Sequence, residues 1–273
     1  MSVLETIDLS IRFGGVQANR DVSVSVGELE IVGVIGPNGA GKTTLFNMIT
    51  GFYTPDTGRI IYRGQDITGL AVHERAQLGL GRTFQNVGLV KGATVRDNLI
   101  TAQYLQADYG LVSGMLGSNR SRRSERQLRA RADLLAESLG LADLLDTQVA
   151  GLPYGTLKRA EIATVLATDP DVLLLDEPSS GMGPEEAHQL GDTLLELRRT
   201  FGLSIVMIEH HVPLVVRVCD YVYCLDFGQL LTHGLPNDVR NHPQVVAAYL
   251  GEDPDPEVVH LEQQLESLVE GGG

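Results

Sequence analysis

The sequence predicts an α/β fold, a parallel sheet interrupted by a helical insertion, and three observations carry that prediction. Residues 36–44 read Gly-Pro-Asn-Gly-Ala-Gly-Lys-Thr-Thr, which satisfies the phosphate-loop pattern G-x-x-x-x-G-K-[ST]. Short, continuous apolar runs at 172–175, 204–208 and 221–225 alternate with helical patterns, as expected of strands buried on both faces of a parallel sheet. Between these two regions, from about residue 87 to residue 167, the chain reads as helices only.

Taken in order, alternating strands are expected near 4–13 and 22–26. Ile31, Val32, Val34 and Ile35 supply the buried strand before the phosphate loop, and Leu45, Phe46, Met48 and Ile49 recur at helical spacing until Gly51. That is the strand, loop and helix context the pattern requires. After the turn Thr54-Pro55-Asp56-Thr57-Gly58 a strand covers 59–62. Helices are expected at 95–104, 121–139 and 157–168, each bounded by Gly, Pro or Asp. Pro184 followed by Glu185 and Glu186 marks a further helix start, with acids at its positive end. The run 229–232 is grouped with the apolar strands. After Gly251 comes Glu-Asp-Pro-Asp-Pro, a linker composition, and then Val258, Leu261, Leu265, Leu268 and Val269 on one helical face. That stripe reads as a solvated or edge-packing helix, with a partner-binding or regulatory helix as the sharper alternative.

The chain has 273 residues, 43% of them hydrophobic, and a formal net charge of −14. That charge argues against a phosphate-backbone binder, so no nucleic-acid partner is expected. Seven of the negatives lie in the tail, from Glu252 to Glu270. No apolar run approaches the roughly 18 residues needed to span a bilayer, and the first ten residues lack a basic start and a cleavage site. A soluble, non-secreted protein is expected. Cys219 and Cys224 lie five apart, without metal-ligand spacing, and read as packing residues.

The chemistry concentrates in two places. Glycines at 36, 39 and 41 let the backbone wrap closely, so that successive N–H groups and the positive end of the following helix meet a triphosphate. Lys42 suits the β- and γ-phosphates, and the Thr43 hydroxyl suits Mg2+. Gly36, Pro37, Asn38, Gly39, Ala40, Gly41, Lys42, Thr43 and Thr44 are therefore the nucleotide-binding candidates. The run 172–175 delivers Asp176 and Glu177 to the carboxyl end of a buried strand, where open α/β sheets bind ligands. Asp176 would hold the metal through water, and Glu177 would orient or deprotonate the attacking water.

With these pieces the sequence resembles the ATP-binding cassette family over nearly all of residues 3–251. The resemblance implies a P-loop NTPase, RecA-like core (residues 1–86 and 168–251) with an N-terminal antiparallel β-subdomain and an inserted α-helical subdomain (87–167), followed by an acidic tail (252–273). It implies that Gln85, in Arg82-Thr83-Phe84-Gln85-Asn86, touches metal or water and relays nucleotide state to the helical lobe. By the same carry-over His210 contacts the γ-phosphate, His211 is its exposed neighbour, and Phe13 stacks on adenine. A packing role is the alternative for Phe13.

The family's signature loop, usually Leu-Ser-Gly-Gly-Gln, matches Leu152-Pro153-Tyr154-Gly155-Thr156. Pro153 lacks both a hydroxyl and an N–H, which leaves the N–H groups of Tyr154 and Gly155 and the helix N-terminus. Leu-Pro-Tyr-Gly resembles the variant of branched-chain amino acid importers, although that variant usually has glutamine where Thr156 stands, and Leu29 occupies a position usually held by glycine. Residues 179–182 correspond to the loop that communicates with the opposite subunit.

The resemblance further implies an ATP- and Mg2+-dependent ATPase working as a head-to-tail homodimer or paralogous heterodimer. Its other partners would be a membrane permease and, indirectly, a substrate-binding protein, with the ATPase at the cytoplasmic face of the inner membrane. Branched-chain amino acid import is the expected task. Urea or amide import, lipid or lipopolysaccharide export and a soluble non-transport role stay open at this point. Six arginines from Arg120 to Arg131 read as a solvated helix face, with anionic lipid as the alternative.

Overall fold

The computed structural model describes residues 2–83, 88–104 and 119–250, with side chains at all of these except 119–124 and 250. Gln85, the side chains of Arg120, Arg122 and Arg123, and the tail stripe from Val258 to Val269 lie outside what it describes. Strands β1 (Ser2–Phe13) and β2 (Val16–Gly27) form an antiparallel hairpin, and β3 (Ile31–Ile35) leaves it for a second sheet. β4 (Thr57–Tyr62) and β5 (Gln65–Asp66) complete a first sheet in the order β2-β1-β4-β5. β2 starts six residues before the alternation at 22–26 because Gln17 and Asn19 pair with Arg12 and Ile11. There, ladder hydrogen bonds override a polar composition.

The second sheet holds β3 with β6 (Leu80–Arg82), β7 (Val172–Asp176), β8 (Ser204–Ile208), β9 (Tyr221–Asp226) and β10 (Gln229–Gly234), in the order β10-β9-β3-β8-β7-β6. Every residue of β3, β7 and β8 is buried, and these strands pair in parallel with one another and with β6 and β9. β10 departs from the parallel reading. It runs antiparallel on β9, because Phe227 (φ 43°) and Gly228 (φ 76°) make a two-residue turn with positive φ at both positions.

The period of two along the parallel strands divides the core. Val32, Val34, Leu174 and Val206 face one cluster, shared with Leu4, Val24, Phe46 and Ile60 of the first sheet and of α1 (Lys42–Ile49). Ile31, Ile35, Leu173, Leu175, Ile205 and Met207 face the other. That second cluster takes in α3 (Val95–Tyr104), α4 (Asn119–Ser138), α5 (Tyr154–Leu166) and α6 (Pro184–Phe201), which follow the short α2 (Val72–Gln77). Each fully buried Leu, Ile or Phe side chain contributes roughly 1.5–3 kcal/mol. α6 starts at Pro184 as expected, and its chain leaves through Gly202 in the left-handed conformation (φ 68°).

Small helices α7 (Val212–Val218), α8 (Pro236–Arg240) and α9 (Pro243–Leu250) close the described chain. Among the described residues, no helix is long and apolar enough to cross a membrane. The end of α1 is held by Arg75, which is 2% exposed and donates to the carbonyls of Met48, Ile49, Thr68 and Leu70. A cation at a helix C-terminus satisfies carbonyls that the helix itself cannot.

Cys219 and Cys224 are free and buried. Burial, reinforced by Asp226 and opposed by Lys42, pushes the Cys224 thiol up to about 12, and burial raises Cys219 as well. Both thiols stay protonated near neutrality and act as packing groups. On α4, the described arginines include Arg129, paired with Glu125 at 3.3 Å, and Arg131, paired with Asp169 at 2.7 Å, and Arg126 is exposed.

Candidate functional site at the carboxyl edge of the parallel sheet

Strand register sets the site. Val34 of β3 and Asp176 of β7 both pair with Ile208 of β8, so the three strands end level with one another. The Glu177 N–H donates to the Ile208 carbonyl at 3.0 Å, and the Glu209 N–H donates to the Val34 carbonyl at 3.4 Å. The phosphate loop, Glu177 and the segment Glu209–His211 therefore leave the same edge of one sheet. Phe13 ends a strand of the other sheet, and residues 152–156 open α5, so register does not bring those to this edge.

In the phosphate loop, glycine is required at two positions by both conformation and space. Gly36 has φ 143°, and a Cβ there would lie 2.0 Å from the Leu225 carbonyl oxygen; Gly41 has φ 92°, and a Cβ there would lie 2.5 Å from the Ala18 carbonyl oxygen. Asn38 and Gly39 form the exposed crest, while Pro37 and Ala40 are buried beneath it. Lys42 is only 7% exposed, and its Nζ donates to the carbonyls of Gly36 (2.5 Å) and Pro37 (2.8 Å), spanning the loop from inside. Thr43 is exposed and Thr44 half-buried in the first turn of α1.

A contact that the loop pattern does not foretell comes from α9. The Tyr249 hydroxyl accepts the Gly36 N–H at 2.8 Å. Tyr249→Phe removes that acceptor from the first residue of the loop. A lost neutral hydrogen bond of about 0.5–1.5 kcal/mol corresponds to a KM for ATP raised roughly two- to tenfold. Steady-state kinetics should show that rise with kcat little changed; an unaltered KM would remove Tyr249 from the support of the loop.

Asp176 is 1% exposed, and Arg82 holds its Oδ2 through Nη2 at 2.9 Å. The same guanidinium donates to Asn47 Oδ1 (2.7 Å) and Thr50 Oγ1 (3.0 Å) and lies 5.6 Å from the centre of the Phe46 ring. The Asp176 N–H donates to Thr83 Oγ1 at 3.2 Å. Among the described residues, the other carboxylate oxygen, Oδ1, is buried with no hydrogen-bond partner. Leaving such an atom unsatisfied is costly, and an anchored carboxylate with one open oxygen suits a hard cation or its bound water. With the exposed Thr43 hydroxyl, this donor set fits Mg2+.

Glu177 is half-buried and has φ 49°, a left-handed conformation that costs a non-glycine residue of order 1–3 kcal/mol and recurs at functional sites. His210 is exposed. His211 is half-buried, which corrects the expectation that it is the exposed neighbour: it stands directly before α7 and packs at the start of that helix. Phe13 is 45% exposed and meets the Tyr53 ring edge-on at 5.1 Å, so it is not a core residue. Leu29, where glycine is usual, adopts φ 57°.

The loop before α5 has its own geometry. The helix starts at Tyr154 rather than near 157, with Pro153 at the cap position and no residue side chain capping it. Pro153 and Tyr154 are exposed, Leu152 packs against the core, Gly155 is half-buried, and Thr156 is buried with its hydroxyl 3.4 Å from Arg159 Nη2. The residues at this site that sequence reasoning missed are Arg82, Tyr249 and Glu209. A buried aspartate at the end of an apolar strand does call for a cation, which is the one signal that could have raised Arg82.

Comparison with known proteins agrees with this geometry. Residues 19–180 match the family described as ABC transporter, and residues 229–255 match the family described as branched-chain amino acid ATP-binding cassette transporter. The high-affinity branched-chain amino acid transport ATP-binding protein LivG of Salmonella typhimurium is 43% identical over 244 residues, covering 89% of this chain and 96% of that protein. BraF of Pseudomonas aeruginosa, which carries the same description, is 39% identical over 250 residues, with 92% and 98% covered. A crystal structure of the ADP conformation of an ATP-binding cassette of an ABC transporter has a TM-score of 0.80 at 32% identity, covering 92% of this chain and all of that one.

Proposed function

The chain belongs to the ABC transporter family of ATP-binding cassettes, and from that premise we propose that it powers the import of branched-chain amino acids. The observation that carries the cargo assignment is the match of residues 229–255 to the branched-chain amino acid family. That match favours the importer branch over a urea, amide or lipid transporter.

ATP occupies the loop from Gly36 to Thr44, its phosphates meeting the backbone N–H groups and the N-terminus of α1. Lys42, already buried at the loop, turns its ammonium from the Gly36 and Pro37 carbonyls to the β- and γ-phosphate oxygens. Thr43, Asp176 through water and Gln85 would hold Mg2+, which when bound neutralises charge on those oxygens. Glu177 takes the proton of the attacking water, His210 contacts the γ-phosphate, and Phe13 offers its exposed face to adenine.

Residues 152–156 act on the nucleotide of a second cassette, identical or paralogous. There the first N–H groups of α5 replace the hydroxyl that Pro153 lacks. Loss of the γ-phosphate removes the contacts shared between the two chains and lets them part. A permease receives that movement and holds the ATPase at the cytoplasmic face of the membrane, and a substrate-binding protein delivers the cargo.

Affinity capture from native membranes tests the cargo. A permease should co-purify, and leucine, isoleucine or valine should stimulate ATP hydrolysis by the reconstituted complex. Stimulation by urea or short amides alone, or capture of a lipid exporter, would overturn the reading.

A further inference from the structure

We propose that Glu209 is a positioning residue that ties the loop carrying Glu177 to the histidine that follows β8, making the two catalytic loops move as one body. Glu209 is fully buried, at 0% exposure, directly after a strand that is otherwise almost wholly apolar. Both of its carboxylate oxygens are used. Oε1 accepts the Ser179 N–H at 2.8 Å, and Oε2 accepts the N–H groups of His210 (3.1 Å) and His211 (3.3 Å). The Ser180 N–H donates to the Glu177 carbonyl at 3.2 Å, which makes Ser179 part of one turn with Glu177. One side chain thus bridges two loops that leave neighbouring strands.

The residue type follows from the donors. Three N–H groups converge from two directions, so the group between them must accept on both sides. Glutamine has one acceptor oxygen and would turn an NH2 toward an N–H on the other side. Aspartate is one methylene shorter and cannot span the same pair of loops unchanged. Burying a polar group is costly, and a position that served packing alone would be filled more cheaply by the Ile or Val that β8 otherwise uses.

The tie continues beyond Ser179. Gly181 has φ 74°, and a Cβ there would lie 3.1 Å from the Tyr154 ring at the start of α5. A displacement of His210 is thereby passed through Glu209 to the 179–182 loop and on to the residue that opens the signature helix. This inference rests on the reading that His210 meets the γ-phosphate and Glu177 the water.

The test compares Glu209→Gln, Glu209→Asp, His210→Ala and the double variant Glu209→Gln/His210→Ala, using ATP binding, single-turnover hydrolysis and backbone amide exchange. Glu209→Gln should leave ATP affinity near wild type and slow hydrolysis about ten- to hundredfold, the scale of an ångström-sized misplacement. Amide exchange should rise in both loops together. In the His210→Ala background the same change should add less than about twofold, because the two residues act through one link. Should Glu209→Gln not fold, Glu209→Asp carries the test, with a smaller slowing and the same shared rise in exchange.

Wild-type hydrolysis in the folded variant, or an equal slowing in both backgrounds, overturns the proposal. If His210→Ala itself hydrolyses ATP at the wild-type rate, it is the reading of His210 that fails. If His210→Ala is slow and Glu209→Gln is not, only the role of Glu209 falls.

Discussion

Glu177→Gln binds ATP, fails to turn it over, and accumulates as an ATP-bridged dimer. The substitution is nearly isosteric, and glutamine meets the same left-handed backbone at φ 49° that glutamate meets, so the turn after β7 is preserved. What changes is the ability to accept a proton from water. Loss of a positioned general base lowers the rate about 10²- to 10⁴-fold. The contacts to the γ-phosphate survive, and with hydrolysis blocked they hold two chains together. Gel filtration with saturating ATP should report the dimer, and steady-state assays should report the loss of turnover. A variant that stays monomeric under saturating ATP removes the head-to-tail dimer mechanism, and one that turns over normally removes Glu177 as the base.

Lys42→Ala loses most of its affinity for ATP. A hydrogen bond to a charged partner contributes about 1.5–3 kcal/mol, which corresponds to roughly ten- to a hundredfold in affinity for one such bond to phosphate. The free protein suffers as well, because Lys42 Nζ satisfies the carbonyls of Gly36 and Pro37 at 2.5 and 2.8 Å from a position only 7% exposed. Calorimetric titration with ATP should show the affinity loss, and thermal unfolding without nucleotide should show a modest fall in Tm. Unchanged ATP binding would end the phosphate-loop assignment. Lys42→Arg is no conservative rescue, since a planar fork replaces the single point charge that Nζ sets between the Gly36 and Pro37 carbonyls.

Some of this was legible in the chain and some was not, for physical reasons. β3, β7 and β8 announce themselves because both of their faces are buried, so all but Asp176 and Ser204 at their ends are apolar or glycine, and Gly36 to Thr44 is legible because strand and helix flank it. β6 is three residues long, too short to show any period, and is defined only by pairing Leu80, Gly81 and Arg82 with Val172, Leu173 and Leu174. The direction of β10 is set by a two-residue turn, which an apolar run does not encode. Arg82, Glu209 and Tyr249 take their roles from partners 94, 30 and 213 positions away. Periodicity reports on neighbours, and these three residues act across the fold. Phe13 shows the converse case: an aromatic residue whose type suggests packing stands 45% exposed.

The placement of β3 has a consequence for the order in which the molecule is made. Its two neighbours, β8 and β9, and the Tyr249 acceptor for Gly36, all lie in the last quarter of the described chain. A ribosome adding about 5–20 residues per second leaves the phosphate loop waiting on the order of 10–40 s between its own emergence and that of Tyr249. Until β8 and β9 follow, Gly36 has no Leu225 carbonyl beside it and β3 has two open edges. The phosphate loop therefore lacks its sheet neighbours and its Tyr249 support until those segments have followed, and the same long-range closure makes refolding slow relative to proteins of local topology. ATP can then act as a late clasp, binding most tightly once α9 has reached the loop.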